Sequence, residues 1–420
     1  MNVSLVGSKL RNQLHSFSGK LSPHFSRPLR RFVEQMLYGI QAAQDVKLSC
    51  IGRSLEEEIP LLKTEERLSR NLDHKELEPE LQQQVAEMGS RYVRADTYVL
   101  VDPSDIIKPY AEKMEYLATV HDGSRNELGE GYWLCMIAAA ELDAHRVVPL
   151  YQALYSAEAP DFVSENHQIL RGIDRVREYA GNRGIYVMDR GGDRMNLFDP
   201  FLDRGMRFIV RQRGDRHVLT HGRKRSIAAV AAGCTRFWYT RVERGVEGKK
   251  RAYHLGFGYC KVQLPSRQET LYLVVVDGFG QEPLMLLTNL ELKHSYKSLW
   301  SVVGGYLTRW RIEDTIRFWK QSYHVEDIRV LTYRRLRNMI ALLSAVCFFA
   351  AVRLGQAVKL QILASRVKQL SKRLFGIPEF HYYALADGMA YVLRRTGYGP
   401  CCGSPPRTTK DPQLFLFPES

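Results

Sequence analysis

Three carboxylates in this sequence stand where chemistry could be built. Asp102 closes the apolar run YVLVD, Asp189 closes IYVMD, and Glu313 lies inside YLTRWRIEDTIRFWK, a stretch that is otherwise basic, aromatic or aliphatic apart from Asp314. Three hard oxygen donors with no other obvious chemistry beside them suit magnesium, with manganese able to substitute. Such ions keep several waters and take phosphate oxygens as their remaining ligands. A pair of them can activate a water or a 3′-hydroxyl, and stabilise the leaving oxygen, in an in-line attack on phosphorus. The chain carries 60 Lys and Arg against 46 Asp and Glu, a formal charge of +14. That excess attracts a polyanion, and nucleic acid is the first candidate partner. Metal-dependent phosphoryl transfer on DNA is the expectation these residues support; charge alone is also compatible with an ordinary basic enzyme.

The acids need elements to hold them. A short continuous apolar run reads as a strand buried on both faces, and the carboxyl edge of an open α/β sheet is where sites are built. A lone aspartate there commonly opens the next turn by bonding its own backbone; two with the same layout favour a site. Asp105 and Asp193 stand a few positions past their strands and read as turn and cap residues. Read as one helix, Tyr306, Arg309, Glu313, Arg317 and Lys320 recur at steps of three, four, four and three and form a polar stripe. Ile312, Ile316, Trp319 and Tyr323 form an apolar stripe beside it. Glu313 is then held between Arg309 and Arg317. A solvated ladder of ion pairs, worth a few tenths of a kcal/mol each, is the plain alternative.

Around these segments the pattern predicts strands at 98–101, 132–140, 145–154, 185–188 and 206–210, a helix at 165–180, a long β-rich interval, and helices at 296–323, 334–354, 358–374 and 380–395. Residues 1–90 read as short helices at 28–43, 49–57, 64–71 and 76–89, with Pro28 suited to a first turn and Thr64 as an N-cap ahead of Glu65 and Glu66. They suit a helix-turn-helix-like DNA reader and equally a plain helical bundle. The 45% hydrophobic content marks a folded chain. Seven cysteines without a CxxC or neighbouring His pair read as reduced intracellular thiols. No signal-peptide core opens the chain, and the apolar helix around 339–352 falls short of the roughly 20 residues a bilayer requires. A soluble, cytoplasmic protein with no membrane partner is expected.

Tyr306, Arg309, Glu313 and Lys320 match the spacing Y-x2-R-x3-E-x6-K, and on these residues the sequence resembles the bacterial insertion-sequence transposases of the DDE type. YVLVDPSDIIK is similar to that family's first-Asp strand, and IYVMDRGGDRMNLFDPFLDRGMRFIVRQR to its second-Asp segment; the match covers roughly 98–333. The resemblance implies an RNase H-like mixed α/β sheet flanked by helices, interrupted by a β-rich insertion, with helical N- and C-terminal regions. It implies two Mg2+ ions on Asp102, Asp189 and Glu313. It further implies DNA contacts from Tyr306, Arg309, Trp310, Arg317 and Lys320, with Arg190, Arg211 and Arg213 as additional candidates. The reaction implied is nicking at the element's inverted-repeat ends, attack of the freed 3′-hydroxyl to give a hairpin, hairpin opening, and transfer into target DNA by a homodimer. Trp310 matches a family aromatic, whereas EPLMLLTNL offers Leu284 and Met285 where a base-stacking tryptophan is sought.

The corresponding division is 1–90, a helical DNA-binding domain; 94–215, the first part of the catalytic domain; 216–292, the β-rich insertion; 293–330, the final catalytic helix; 331–397, a helical C-terminal region suited to dimerisation; and 398–420, a flexible tail rich in Pro, Gly and Ser. An RNase H-like nuclease or resolvase could use the same acids without joining DNA. A non-catalytic, transposase-derived DNA-binding protein is a second alternative, and a helix-turn-helix regulator a third.

Overall fold

The computed structural model describes residues 3–123, 126–144, 146–246, 249–354, 358–369, 371, 382–397 and 399–400. Five helices open the chain: α1 (Val3–Leu21), α2 (Arg27–Ala43), α3 (Leu48–Ser54), α4 (Leu61–Leu72) and α5 (Leu77–Ser90). Pro28 occupies the first turn of α2, where its missing N–H costs nothing. Thr64 is not the cap of α4. That helix starts from Pro60, and Thr64 is buried inside it with its hydroxyl donated to Glu57 Oε2 at 3.0 Å. Pro60 already supplies the helix start, so the threonine side chain serves a tertiary contact.

The sheet strands are β1 (Tyr98–Ile107), β2 (Ala118–Asp122), β3 (Glu127–Ala140), β4 (Val147–Tyr155), then helix α6 (Glu165–Ala180), strand β5 (Ile185–Met188), helix α7 (Met195–Asp203) and strand β6 (Arg207–Arg211). Helix α6 matches its expected bounds, with the Ser164 hydroxyl accepting from the His167 N–H at 3.1 Å. After a small hairpin, β7 (His217–Thr220) and β8 (Arg223–Ser226), come α8 (Ile227–Ala232), β9 (Trp238–Val246), β10 (Lys249–Val262), β11 (Leu271–Asp277) and β12 (Leu284–Thr288). One sheet runs β2-β3-β1-β5-β6-β12-β11-β10-β9, with β4 also on β3. The β4-β3-β1-β5-β6 part is the expected RNase H-like order: β3 is antiparallel to β1 and to β4, and β5 and β6 run parallel to β1. Strands β9 to β12 continue the same sheet beyond β6 through the antiparallel pairing of β12.

Helix α9 (Tyr296–Thr308) packs on this extension and on β5 and β6, and α10 (Trp310–Ser322) on β1. A single helix was expected over 296–323; it is interrupted at Arg309, whose backbone stays helical (φ −56°, ψ −32°). Helix α11 (Tyr333–Phe348) runs on through a wider turn, Phe349–Arg353. This makes 21 helical residues, close to the expected helix at 334–354 and longer than its apolar run at 339–352; the helix is long and apolar enough to span a bilayer, but its most apolar window is 83% buried inside the protein. It is a core helix. Helices α12 (Val358–Gln369) and α13 (Tyr382–Thr396) complete the described elements. Of the expected tail at 398–420, residues 398 and 401–420 lie outside the described residues, as do the expected helical residues 370, 372–374 and 380–381.

One hydrophobic core extends from Val6 to Leu393. Helices α1 and α2 pack on α13, α2 and α5 on α11, and α5 and α11 on β4. Arg394 donates to the carbonyls of Ala42 and Ala43 at 2.5 and 2.6 Å, capping α2 from the far end of the chain.

Candidate active site

Strand β1 serves two ladders in succession. Tyr98, Val99 and Leu100 pair with Ile185, Tyr186 and Val187 of parallel β5, and two residues further along each strand stand Asp102 and Asp189. Equal spacing from the last shared rung brings the two aspartates level at the carboxyl edge of adjacent strands, about 5 Å apart in the pairing direction. Strand β1 does not end there, as the expected 98–101 strand would. It continues on β3 to Ile107, with Pro103 just past the last β5 rung, where its missing N–H leaves no gap in that ladder. Asp189 accepts the Gly191 N–H at 2.8 Å and caps the short turn Arg190–Gly192.

Helix α10 brings the third acid. Arg309, its side chain 8% exposed, reaches Asp102 Oδ1 with Nη1 at 3.2 Å and Glu313 Oε1 with Nη2 at 2.7 Å, so one guanidinium joins the strand acid to the helix acid. Its cation also lies over the ring of the buried Tyr306, 5.7 Å from the centroid. Burial pushes Asp102 up to about 7; Arg309 opposes the shift, and the charges of Asp189 and Glu313 add to it. Arg309 is held more firmly protonated by the same acids, with Asp102 foremost, against the effect of its burial.

The polar stripe expected on α10 is divided. Arg317 is exposed and pairs with Asp314 at 2.9 Å, not with Glu313, because Asp314 lies within reach on the solvent side. Lys320 donates to Asp105 Oδ2 at 2.7 Å and to Glu326 Oε1 at 3.0 Å. Asp105 is therefore not a turn residue: it is buried within β1 and anchors the last turn of α10. Lys108, buried just after β1, donates to the carbonyls of Val325 and Glu326 at 3.0 and 2.9 Å. The rungs match: seven residues from Glu313 to Lys320 rise about 10 Å along a helix, and three from Asp102 to Asp105 about 10 Å along a strand. Asp105, Glu326 and Lys108 are neighbours of the site that one-dimensional spacing does not expose, because their partners lie on a different element.

Trp310 packs edge-on against Phe279, centroids 5.5 Å apart. Asp193, expected as a cap, is buried and ties two elements together. It pairs with Arg216 Nε at 2.5 Å and accepts the Arg213 N–H at 2.9 Å. Arg213 Nε donates to the Arg190 carbonyl at 3.1 Å, which sets Arg190 and Arg213 side by side near Asp189; Arg211 ends β6 beside them.

Among the described residues, no three His, Cys, Asp or Glu side chains form a ready cation cage. The acids share Arg309 instead of closing on one another. As donors they fit a hard divalent cation, being carboxylates alone; burial is the main cause of the rise of Asp102, and such a cation would offset both that burial and the smaller repulsion from Asp189 and Glu313.

A comparison with curated proteins gives no match. Among solved structures, the chain is similar to a piggyBac transposase synaptic complex with hairpin DNA, with a TM-score of 0.44 and 10% sequence identity over 94% of this chain and 80% of that one. Likeness at that level carries no weight for function. The transposase DDE domain, in contrast, matches residues 95–349, from just before β1 to the end of α11. That span contains both strand-end aspartates and the Arg309–Glu313 pair, and the chain belongs to the family of transposases that carry this domain.

Proposed function

We propose that this protein is the transposase of an insertion sequence, cutting DNA at the inverted-repeat ends of its own element and joining the freed 3′-ends to target DNA. The observation that carries this is the meeting of β1, β5 and α10: Asp102 within β1 and Asp189 just past β5 each stand two residues beyond the last rung the strands share, and Arg309 ties Asp102 to Glu313. Asp102, Asp189 and Glu313 are the catalytic carboxylates and would hold Mg2+, or Mn2+ in its place. When bound, two such ions supply an activated attacking oxygen and charge stabilisation for the leaving one at phosphorus.

The chain's own residues do the rest. Arg309 holds Asp102 and Glu313 apart and neutralises them while the site waits for substrate. Lys320, Asp105 and Glu326 fix the end of α10 along β1 and so set where Glu313 stands. Tyr306, Arg309, Trp310, Arg317, Lys320, Arg190, Arg211 and Arg213 are assigned to the DNA around the scissile phosphate, with the basic members as charge-assisted donors to phosphate oxygens. Residues 1–90 are assigned to DNA end binding and 331–397 to dimerisation, since synapsis of two ends calls for two copies.

The test is a labelled duplex carrying the DNA ends that flank the gene, incubated with wild type and with Glu313→Gln in Mg2+ or Mn2+. Wild type should release a 3′-hydroxyl and join it to a second duplex, and Glu313→Gln should bind the same ends without cutting. Cutting without joining would make the protein a nuclease; binding without either, on correct ends, would make it a non-catalytic DNA-binding protein. A covalently closed end among the products would add the hairpin step.

A further inference from the structure

The hairpin β7–β8 stands apart from the main sheet. Its ladder pairs His217 with Ser226, Val218 with Arg225, Leu219 with Lys224 and Thr220 with Arg223. The two-residue turn is His221-Gly222, both with positive φ (48° and 72°), the geometry that matches the twist of a tight hairpin. Between Arg216 and Ser226 there is no acidic residue. Arg223, Lys224 and Arg225 are all exposed, and none has an acidic partner among the described residues. Arg91, Arg175 and Arg204, by comparison, each face an acid at 2.5 to 2.8 Å.

The root of the hairpin is fixed. Arg216 is held by the buried Asp193, which also accepts the Arg213 N–H, and Asp193 lies four residues after Asp189. Further up, Leu219 exchanges backbone hydrogen bonds with Gln263 at 2.8 and 3.0 Å, which ties β7 to the segment after β10 and leaves β8 as the free edge. The ladder rises three steps beyond its root, about 10 Å. A basic ribbon of fixed orientation thus lies on the surface, its root tied to Asp193, four residues beyond Asp189.

We propose that the β7–β8 hairpin is a clamp for duplex DNA, gripping phosphates with Arg223, Lys224 and Arg225. Successive side chains on a strand point to opposite faces, so Arg223 and Arg225 share the face of the buried Val218 and Lys224 takes the other with Leu219, all three cations remaining exposed. Packed on the body through Val218, the hairpin offers its β8 edge, and the three cations meet the phosphate backbone along that edge. The contacts are to phosphates, so they add affinity and orientation without sequence choice. Charge on an edge strand also discourages pairing with other chains, but that role gives no reason for DNA affinity to depend on these three residues. The inference rests on the DNA-acting function proposed above.

The experiment measures binding of the full chain to a fluorescent duplex of arbitrary sequence by anisotropy, in chelator and across a KCl series. Replacing all three residues by Gln should weaken binding at least about tenfold near 0.1 M salt, and reduce the slope of log K against log salt by about 2 to 3, at roughly 0.9 per lost phosphate contact. Arg91→Gln, Arg175→Gln and Arg204→Gln together remove the same net charge and should leave the slope near wild type. Equal losses in both triple variants, or an unchanged slope in the hairpin variant, would overturn the clamp. The single Lys224→Glu substitution, at an exposed position, should lower affinity in the same assay, and an unchanged affinity would count against the clamp. Failure of the wild type to bind DNA at all would instead remove the proposed function, and the clamp with it.

Discussion

Arg309→Gln is the substitution most informative about the carboxylate site. The arginine and Asp102 are 8% and 13% exposed, so removing the cation strands a buried acid, a change that costs about 3–5 kcal/mol. The second contact adds little, because Glu313 is 38% exposed and solvent screens it to about 0–1 kcal/mol. At about 2.1 cal/mol/K per residue, the 420-residue chain has an unfolding entropy near 0.9 kcal/mol/K, so the loss corresponds to a drop in Tm of about 3–6 °C. The assay is a thermal melt with chelator and again with saturating Mg2+. A divalent ion supplies the positive charge the variant lacks, so Mg2+ should raise the Tm of Arg309→Gln more than that of wild type. Arg317→Gln, whose partner Asp314 is exposed, should melt within about 0.5 kcal/mol of wild type in both conditions. A variant that melts like wild type would refute the claim that Arg309 offsets the buried charge. A variant destabilised equally with and without Mg2+ would show that the guanidinium acts by packing alone.

Two further outcomes follow from neighbouring contacts. Burial lowers Lys108 from its ordinary 10.5 to about 7, so between those values the unfolded chain holds a proton the folded one lacks. Stability from this group should therefore rise as pH climbs from about 7 towards 10, and the folded state bears the full desolvation cost below 7. Urea melts at pH 7 and pH 9 should show this rise in wild type and a flatter response in Lys108→Met; the same rise in both would remove Lys108 as its source. Gly305 of α9 faces the ring of Tyr98 at the start of β1, and an added Cβ would lie 2.2 Å from Tyr98 Cε1. That ring is 4% exposed and its hydroxyl donates to the Ser301 carbonyl at 2.6 Å, so it cannot yield freely. Gly305→Ala should cost about 1–3 kcal/mol by overpacking, and an unchanged urea midpoint would contradict this.

The sequence exposes what is written along one element and conceals what lies between two. YVLV and IYVM are strands because nothing polar interrupts them, and the aspartate after each run is read directly from the pattern, although β1 continues past Asp102 to Ile107. Helix α6 is legible from its Ser164 cap and its apolar spacing. Helix α1 is less so: Val6, Leu10, Leu14, Phe17 and Leu21 form a buried stripe, but four serines and two glycines lower its helix propensity. The partners of Lys320 were out of reach, since a stripe on α10 says nothing of Asp105 on β1 or Glu326 beyond the helix. Arg317 illustrates the same limit, because spacing alone allows it either neighbouring acid and only the fold selects Asp314.

The pairing of the first helix with the last has a consequence for how the protein is made. Arg11 donates to the Thr396 hydroxyl at 2.8 Å across 385 residues of sequence, and α1 shares its core with α13. On the ribosome, the apolar stripe of α1 emerges long before α13 and waits for it. Contacts of such separation close late, and an unfinished chain shows hydrophobic surface to whatever surrounds it. A product that stops short of α13 leaves α1 and α2 without the helix they pack on.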